Sequence, residues 1–287
     1  MDVAYFRRAD PVEPSSGAAP EWLCPEPTAA SLWGGGTQLR GSAVSGALAR
    51  EAERVAAADG GSELMPVRWT LDLFRPAAMR ECTTSGRVVR AGRRLRLVDV
   101  VLRQGARDEV EVARASALFL APSAVEPASV WAPALTVDPP PGDLEPGTTE
   151  ARLYFSEGIG WTATPGPHRN ARRKRTWLFG VPIVRGENPS PFQLAAMAGD
   201  VTNVVVNWGA DGIGHINADV SVNLARLPHG GEVGVAAELR IEQAGVVVAV
   251  ATLFDRGGVF GTAAVSALAN PSGPIDPREL GEPLPRR

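Results

Sequence analysis

Apolar Val67, Trp69, Leu71 and Leu73 alternate with Arg68, Thr70 and Asp72, a period of two that predicts a strand with one buried face. Residues 82–89, 95–102 and 110–120 continue as strands, with turns expected at Ala91-Gly92 and over residues 105–108. Ahead of this meander, Leu39, Ala43, Val44, Ala47, Leu48 and Val55 recur at helical spacing, which predicts a helix from Thr37 to about Ala58, ended by Asp59-Gly60-Gly61. Its middle is small (Gly41, Ser42, Ala43, Ser45, Gly46, Ala47), so it can approach its packing partner closely. One helix followed by a long antiparallel meander is α+β, not the alternation of a doubly wound fold.

The order then repeats. Val3 to Arg8 is a short strand candidate in the first half, and Leu153-Tyr154-Phe155 and Trp177 to Val181 are strand candidates in the second. Ser190 caps a second helix with Pro191 in its first turn, running to about Asn203. Strands follow near 216–226, 233–242, 245–254 and 259–269. Echoes about 150 residues apart support a duplication. They are Gln38-Leu39 with Gln193-Leu194, Arg90-Ala91-Gly92 with Gln243-Ala244-Gly245, and Ser116-Ala117-Leu118 with Ser266-Ala267-Leu268. Pro122, Pro127, Pro133, Pro139, Pro140, Pro141 and Pro146 mark a linker between them. The expected organisation is residues 1–121, a linker over 122–150, a second unit over 151–270 and a loose tail over 271–287.

Composition narrows the function classes. The 287 residues are 44% hydrophobic and 21% charged, which suits a packed globular protein. A net charge of -3 gives no electrostatic case for a nucleic-acid partner or an anionic membrane surface. Cys24 and Cys82 lack metal-ligand spacing and read as reduced thiols. His168, His215 and His229 are too dispersed for a zinc site or a Ser-His-Asp triad, so no metal and no cofactor is expected. The first residues lack the apolar core of a signal peptide, and no apolar run reaches the ~20 residues of a membrane span. The expectation is a cytoplasmic, soluble protein. Gly34-Gly35-Gly36 precede a helix but match no nucleotide-loop spacing, so close backbone passage is the preferred reading.

One carboxylate stands out. Asp200 lies in the apolar, small-residue stretch Ala195 to Asn203, where an unpaired charge is costly unless it is paired, solvated or used. The bland alternative is a wet helix end, since Thr202-Asn203 and Trp208-Gly209 suggest termination. Asn217 and Asp219 are two apart on the next strand and would share a face.

The ordered set of Gly34-Gly35-Gly36, Ala47-Leu48-Ala49-Arg50, Val67 to Pro76, Ser190-Pro191-Phe192-Gln193, Asp200 with Asn203, and Ile216 to Val222 resembles the acyl-CoA thioesterase-like superfamily, the group with type II acyl-CoA thioesterases. The resemblance covers roughly residues 3–269 and implies a double hotdog, each helix wrapped by an antiparallel sheet with the two sheets side by side. It implies that Asp200 and Asn217 hold an attacking water. The family's third water ligand, a Gln, falls at Ala264 or Val265, neither of which has a polar side chain. Where many relatives carry His before the glycines, this chain has Trp33. Backbone N–H groups near Gly35 and Gly36 are expected at the oxyanion, with Thr202, Asn203 or Ser266 as substitutes for the lost Gln. Ser45 occupies the place of Asp200 in the first helix, so at most one such site is expected.

Arg172, Arg173 and Lys174, in the basic run 168–175, are candidate contacts for coenzyme A phosphates, though a solvated loop is the favoured reading. Two functions remain: an acyl-CoA thioester hydrolase, or an impaired double hotdog that binds an acyl or acyl-CoA ligand without turnover. A hydratase lacks its His-plus-Asp motif. Association into a homo-oligomer follows only from the resemblance.

Overall fold

The computed structural model describes residues 3–9, 21–31, 35–105, 109–124, 129–131, 133, 136–146 and 152–276. Trp33, Gly34, the turn residues 106–108, Pro127 and residues 277–287 of the expected tail lie outside them. In the first half the strands are β1 (Phe6–Arg8), β2 (Trp22–Pro25), β3 (Met65–Leu73), β4 (Cys82–Gly92), β5 (Leu95–Gln104) and β6 (Val110–Leu120), with helix α1 (Gly41–Ala58) ahead of β3. In the second half β7 (Arg152–Ser156), β8 (Gly160–Thr162) and β9 (Lys174–Phe179) precede helix α2 (Pro191–Asn207). After it come β10 (Trp208–Gly209), β11 (Gly212–Ile213), β12 (His215–Asn217), β13 (Asp219–Leu224), β14 (Glu232–Gln243), β15 (Val246–Asp255) and β16 (Gly258–Ala269).

The duplication is visible in the strand order. One 14-stranded antiparallel sheet runs β1-β2-β4-β5-β6-β3-β13-β16-β15-β14-β9-β7-β8, with β12 also on β16. The order β4-β5-β6-β3 is mirrored by β14-β15-β16-β13, and the halves meet where β3 pairs with β13, Thr70 opposite Ser221. Alternation along β3 puts Trp69 and Leu71 on the buried face, where Trp69 meets Phe192 of α2 edge-on at 5.6 Å. One apolar core contains residues from both helices and both sets of strands. The fold is α+β, two helices wrapped by a continuous sheet, as expected.

The helices pack antiparallel at close range. Ser45 donates to the Ala196 carbonyl at 2.7 Å and accepts from Trp69 Nε1 at 3.1 Å. Four residues earlier on α1 and four later on α2, Gly41 faces Asp200, and a Cβ at Gly41 would overlap that carboxylate. The two contacts exchange under the internal repeat, so Ser45 is the first half's counterpart of Asp200 and is spent on packing.

Several boundaries differ from the sequence reading for tertiary reasons. Residues 38–40 are extended rather than helical, and Thr37 closes the turn before them. Leu39 N donates to Ala77 O (2.7 Å), Arg40 N to Ala29 O (2.8 Å), and Met79 N to Thr37 O (2.9 Å). Those bonds hold the backbone in an extended path that helix hydrogen bonds would break. Helix α2 continues through Val204, Val205 and Val206 to Asn207, so Asp200 sits inside the helix and not at its end. The hairpin between β4 and β5 turns at Arg93-Arg94, not Ala91-Gly92. Its counterpart turns at Ala244-Gly245, where φ is 51° and 75°, a type I′ pairing that suits twisted strands. Val137 and Leu144 of the proline-rich stretch pack beside Trp177 and Phe254, so this part lies against the second half. Both cysteines are buried thiols outside any disulfide, and burial, with Cys24 nearby, pushes the Cys82 thiol up to about 12. Among the described residues no helix is long and apolar enough to cross a membrane, and no group of three His, Cys, Asp or Glu gathers to hold a metal.

Candidate active site

A cavity of about 410 Å³ opens where the start of α1, the middle of α2 and β12 converge. Leu39, Val44, Val112, Val201, Val204, Ile213, Leu268 and Ile275 make most of its wall apolar, and Phe74 and Arg75 lie on its exposed side. Its size and lining suit a mainly apolar small molecule with a few fixed polar contacts.

Asp200 is on this wall because α2 presents it opposite Gly41, the residue small enough to let α1 begin there. Asn217 Nδ2 donates to Asp200 Oδ1 at 3.2 Å, and the Ser42 backbone N–H donates to the same carboxylate. Arg40, at the N-cap of α1, offers no side-chain cap, so Asp200 serves the helix start from outside the helix. Burial raises the Asp200 carboxyl above its ordinary value; the Asn217 bond, Arg152, Arg40 and the Ser42 N–H pull the other way without cancelling it. A shift in that direction makes the carboxylate a stronger base, which is what a proton acceptor for water requires.

Asn217 faces the cavity because the chain changes register at Ala218. Asn217 pairs with Ala267, whereas Ser221 pairs with Ala264, one residue out of step. Asp219 is therefore not part of the cavity wall, and its Oδ1 accepts from Ser266 N at 2.5 Å.

The chain has counterparts among known proteins. Residues 29–120 match the family model described as the acyl-CoA thioesterase N-terminal domain. The chain is similar to a thioesterase II candidate from Thermobifida fusca YX, at 16% identity over 93% of this chain and 96% of that one, with a TM-score of 0.67. A hot dog fold protein of unknown function from Alicyclobacillus acidocaldarius aligns at 13% identity over 89% and 94% of the two chains, TM-score 0.62. The acyl-CoA thioesterase II TesB2 from Mycobacterium marinum aligns at 13% identity over 82% and 91%, TM-score 0.57. No curated relative matches in sequence. The chain has the double hotdog fold.

Within this double hotdog the other expected site residues are placed as follows. Gly35 and Gly36 are exposed, with φ of 62° and 80°, in a turn closed by Gly36 N to Ser31 O at 3.0 Å. They are not on the cavity wall, because α1 begins at Gly41, and the backbone facing Asp200 is that of Gly41 and Ser42. Thr202, two residues beyond Asp200, turns away from the cavity into the core. Asn203 is on the wall, but its Nδ2 donates to His215 O at 3.0 Å and its Oδ1 accepts from Asn207 at 2.9 Å, tying α2 to β12. Ser266 is off the wall, and β16 contributes Leu268 and Ala269 instead. Val265 is buried in the core, and Ala264 pairs with Ser221 and Val250 away from the cavity.

The basic run is off the wall of the Asp200 cavity; Arg169, Arg172 and Arg173 are exposed, as a solvated loop would have them, but His168 and Lys174 are buried. Lys174 is 1% exposed and donates to Asn170 O, Asn170 Oδ1 and Arg172 O at 2.7, 2.9 and 2.7 Å, its three protons all used. Burial brings its ammonium down to about 8. Arg172 donates to Glu157 O at 2.9 Å, and Arg173 pairs with Glu238 and the Ala237 carbonyl. These three residues line a separate cavity of about 370 Å³ at the far end of α2. His168 is fully buried between Ser156 Oγ (2.9 Å) and Thr162 Oγ1 (2.7 Å), and burial followed by the Lys174 charge lowers it to about 4.

Sequence reasoning missed Ser42, Arg40 and Arg152 on the cavity wall. The single available signal was Arg152 at the head of the apolar run Leu153-Tyr154-Phe155, a cation where a buried strand begins.

Proposed function

We propose that the protein hydrolyses acyl thioesters of the acyl-CoA class. The observation that carries this is the convergence of Asp200, in hydrogen-bond contact with Asn217, on an apolar cavity beside the start of α1. A water bonded to Asp200 attacks the thioester carbonyl carbon while Asp200 takes its proton. The tetrahedral intermediate develops its negative charge beside the α1 N-terminus, Arg40 and Arg152, all of which favour an anion. The C–S bond then breaks, and Asp200 returns the proton to the departing thiolate. Asn217 fixes the carboxylate through one amide N–H and keeps the second for the water. The apolar wall takes the acyl chain, and the exposed Arg75 at the rim is placed for a phosphate of the carrier.

The absence of a polar side chain at Ala264 and Val265 favours a second reading, a protein that binds acyl-CoA without turning it over. Thiol release from a panel of acyl-CoA esters separates the two. Turnover abolished by Asp200→Ala supports hydrolysis; calorimetric binding with no thiol release supports the second reading.

A further inference from the structure

We propose that the segment from Asn270 to Asp276 closes the acyl end of the cavity, and that Ile275 sets the longest acyl chain the protein accepts. This rests on the hydrolytic reading above. The cavity has two ends of different chemistry. Gln38, Arg40 and the exposed Arg75 lie towards one of them. Val204, Ile213, Leu268 and Ile275 make the other, a wall without a charged side chain. The chain from Ile213 to Ala218 gives their order. Ile275 is paired with Ile213, Ile216 is opposite Leu268, Asn217 reaches Asp200, and Leu73 N donates to Ala218 O at 2.9 Å. The carboxylate therefore stands between the Leu73–Arg75 end and the Ile275 end. A charged carrier belongs with Arg75, so the acyl chain extends towards Ile275. Four residues separate Asn217 from Ile213, which bounds that arm at about 14 Å and suits short and medium chains.

The segment follows the last strand, β16, and is tied back across the end of the cavity. Ile213 and Ile275 exchange backbone hydrogen bonds at 2.9 and 3.0 Å, and Asn270 N donates to Gly214 O at 2.8 Å. Arg169 Nη1 donates to Asp276 Oδ2 at 3.3 Å. The turn between these ties is closed by Asn270, whose Nδ2 donates to Gly273 O at 2.6 Å and whose Oδ1 accepts from Ser272 N at 3.2 Å. Gly212 holds φ of 116° against the segment, and a Cβ there would overlap the Ile275 carbonyl oxygen. Pro271 and Ile275 both border the cavity. Ordering such a segment costs conformational entropy, and what it supplies in return is a fixed apolar wall. Because its backbone is bonded on both sides of Ile275, that side chain stops the acyl chain at a set distance from Asp200.

The test uses the full chain and a panel from acetyl-CoA to palmitoyl-CoA, read by thiol release, with Ile275→Ala, Ile275→Phe and, from the other end of the cavity, Val112→Ala. Wild type is expected to favour short or medium chains over palmitoyl. Ile275→Ala is expected to move the preferred chain longer by about two carbons, raising kcat/KM for that longer ester on the order of tenfold relative to the wild-type optimum. Ile275→Phe is expected to move it shorter. Thiol release from wild type with the same length profile in both Ile275 variants overturns the proposal and leaves the hydrolytic reading standing. So does a loss spread evenly over all chain lengths, which marks a merely structural residue, or a profile moved by Val112→Ala and not by Ile275→Ala. A wild type that prefers palmitoyl-CoA overturns it too. A wild type that releases no thiol from any ester overturns the hydrolytic reading instead. Calorimetric affinities over the same panel then decide on Ile275: a shift in preferred length supports its role, and none overturns it.

Discussion

Asp200→Asn separates chemistry from architecture at one atom. Asparagine keeps the shape of the side chain, and its Oδ1 still accepts the Ser42 N–H; Asn217 needs only to turn its amide to present Oδ1. What disappears is the charge, and with it the capacity to take a proton. Loss of a general base lowers the rate by about 10²–10⁴, a barrier increase of about 3–5 kcal/mol at 1.36 kcal/mol per decade. Stability moves the other way. Because the folded protein raises the Asp200 carboxyl, it binds that proton more tightly than the unfolded chain does. The stability Asp200 contributes is present at low pH and is lost as pH rises through the raised value. The neutral variant removes that loss, so its Tm is expected to exceed wild type at neutral pH and to converge with it in acid. The wild-type rate is expected to fall as pH drops through a value above the ordinary carboxylate range. The assay pairs thiol release with melting curves from pH 4 to 8. A variant that keeps its turnover and melts lower at pH 7 would refute the reasoning, since Asp200 would then be a charged structural cap and nothing more.

Further expectations concern the fold. His168 must stay neutral in the native state, held at about 4 against an ordinary 6.5, so stability present above pH 6.5 is lost as pH falls towards 4. The loss is about 3 kcal/mol at 1.36 kcal/mol per pH unit, measurable by urea unfolding, and His168→Gln should flatten that pH dependence. Gly41→Ala places a methyl group on the Asp200 carboxylate; it should destabilise by about 1–3 kcal/mol and lower activity together, whereas unchanged melting would show that the helices separate freely. Ala244 holds φ of 51°, a conformation costly for alanine, so Ala244→Gly is expected to add roughly 1 kcal/mol of stability, or about 2–4 °C in Tm, with no change in turnover.

The strands of this protein were legible because a sheet with one buried face writes a period of two into its sequence, and the duplicated order could be read from echoes such as Ser116 and Ser266. The second helix announced its start through Ser190-Pro191, a local signal of capping and fixed φ. Asp200 was legible for an equally local reason, a charge among small apolar residues. Asn217 was named from the resemblance, but its separation from Asp219 was not visible, because the register change at Ala218 is set by pairing with β16. The start of α1 is not legible, since residues 38–40 have helical propensity while distant backbone at Ala29 and Ala77 holds them extended. The basic run looked like surface because charge pattern is all a sequence shows; burial of Lys174 and His168 required the packing of Asn170, Ser156 and Thr162 around them. Ser42 left no trace in the sequence. A serine near a helix start is ordinary, and only the antiparallel packing of the two helices brings its backbone N–H to Asp200. Pattern and propensity act between neighbours along the chain and so fixed the elements; the site depends on residues some 160 positions apart, and only close packing at Gly41 could bring them together.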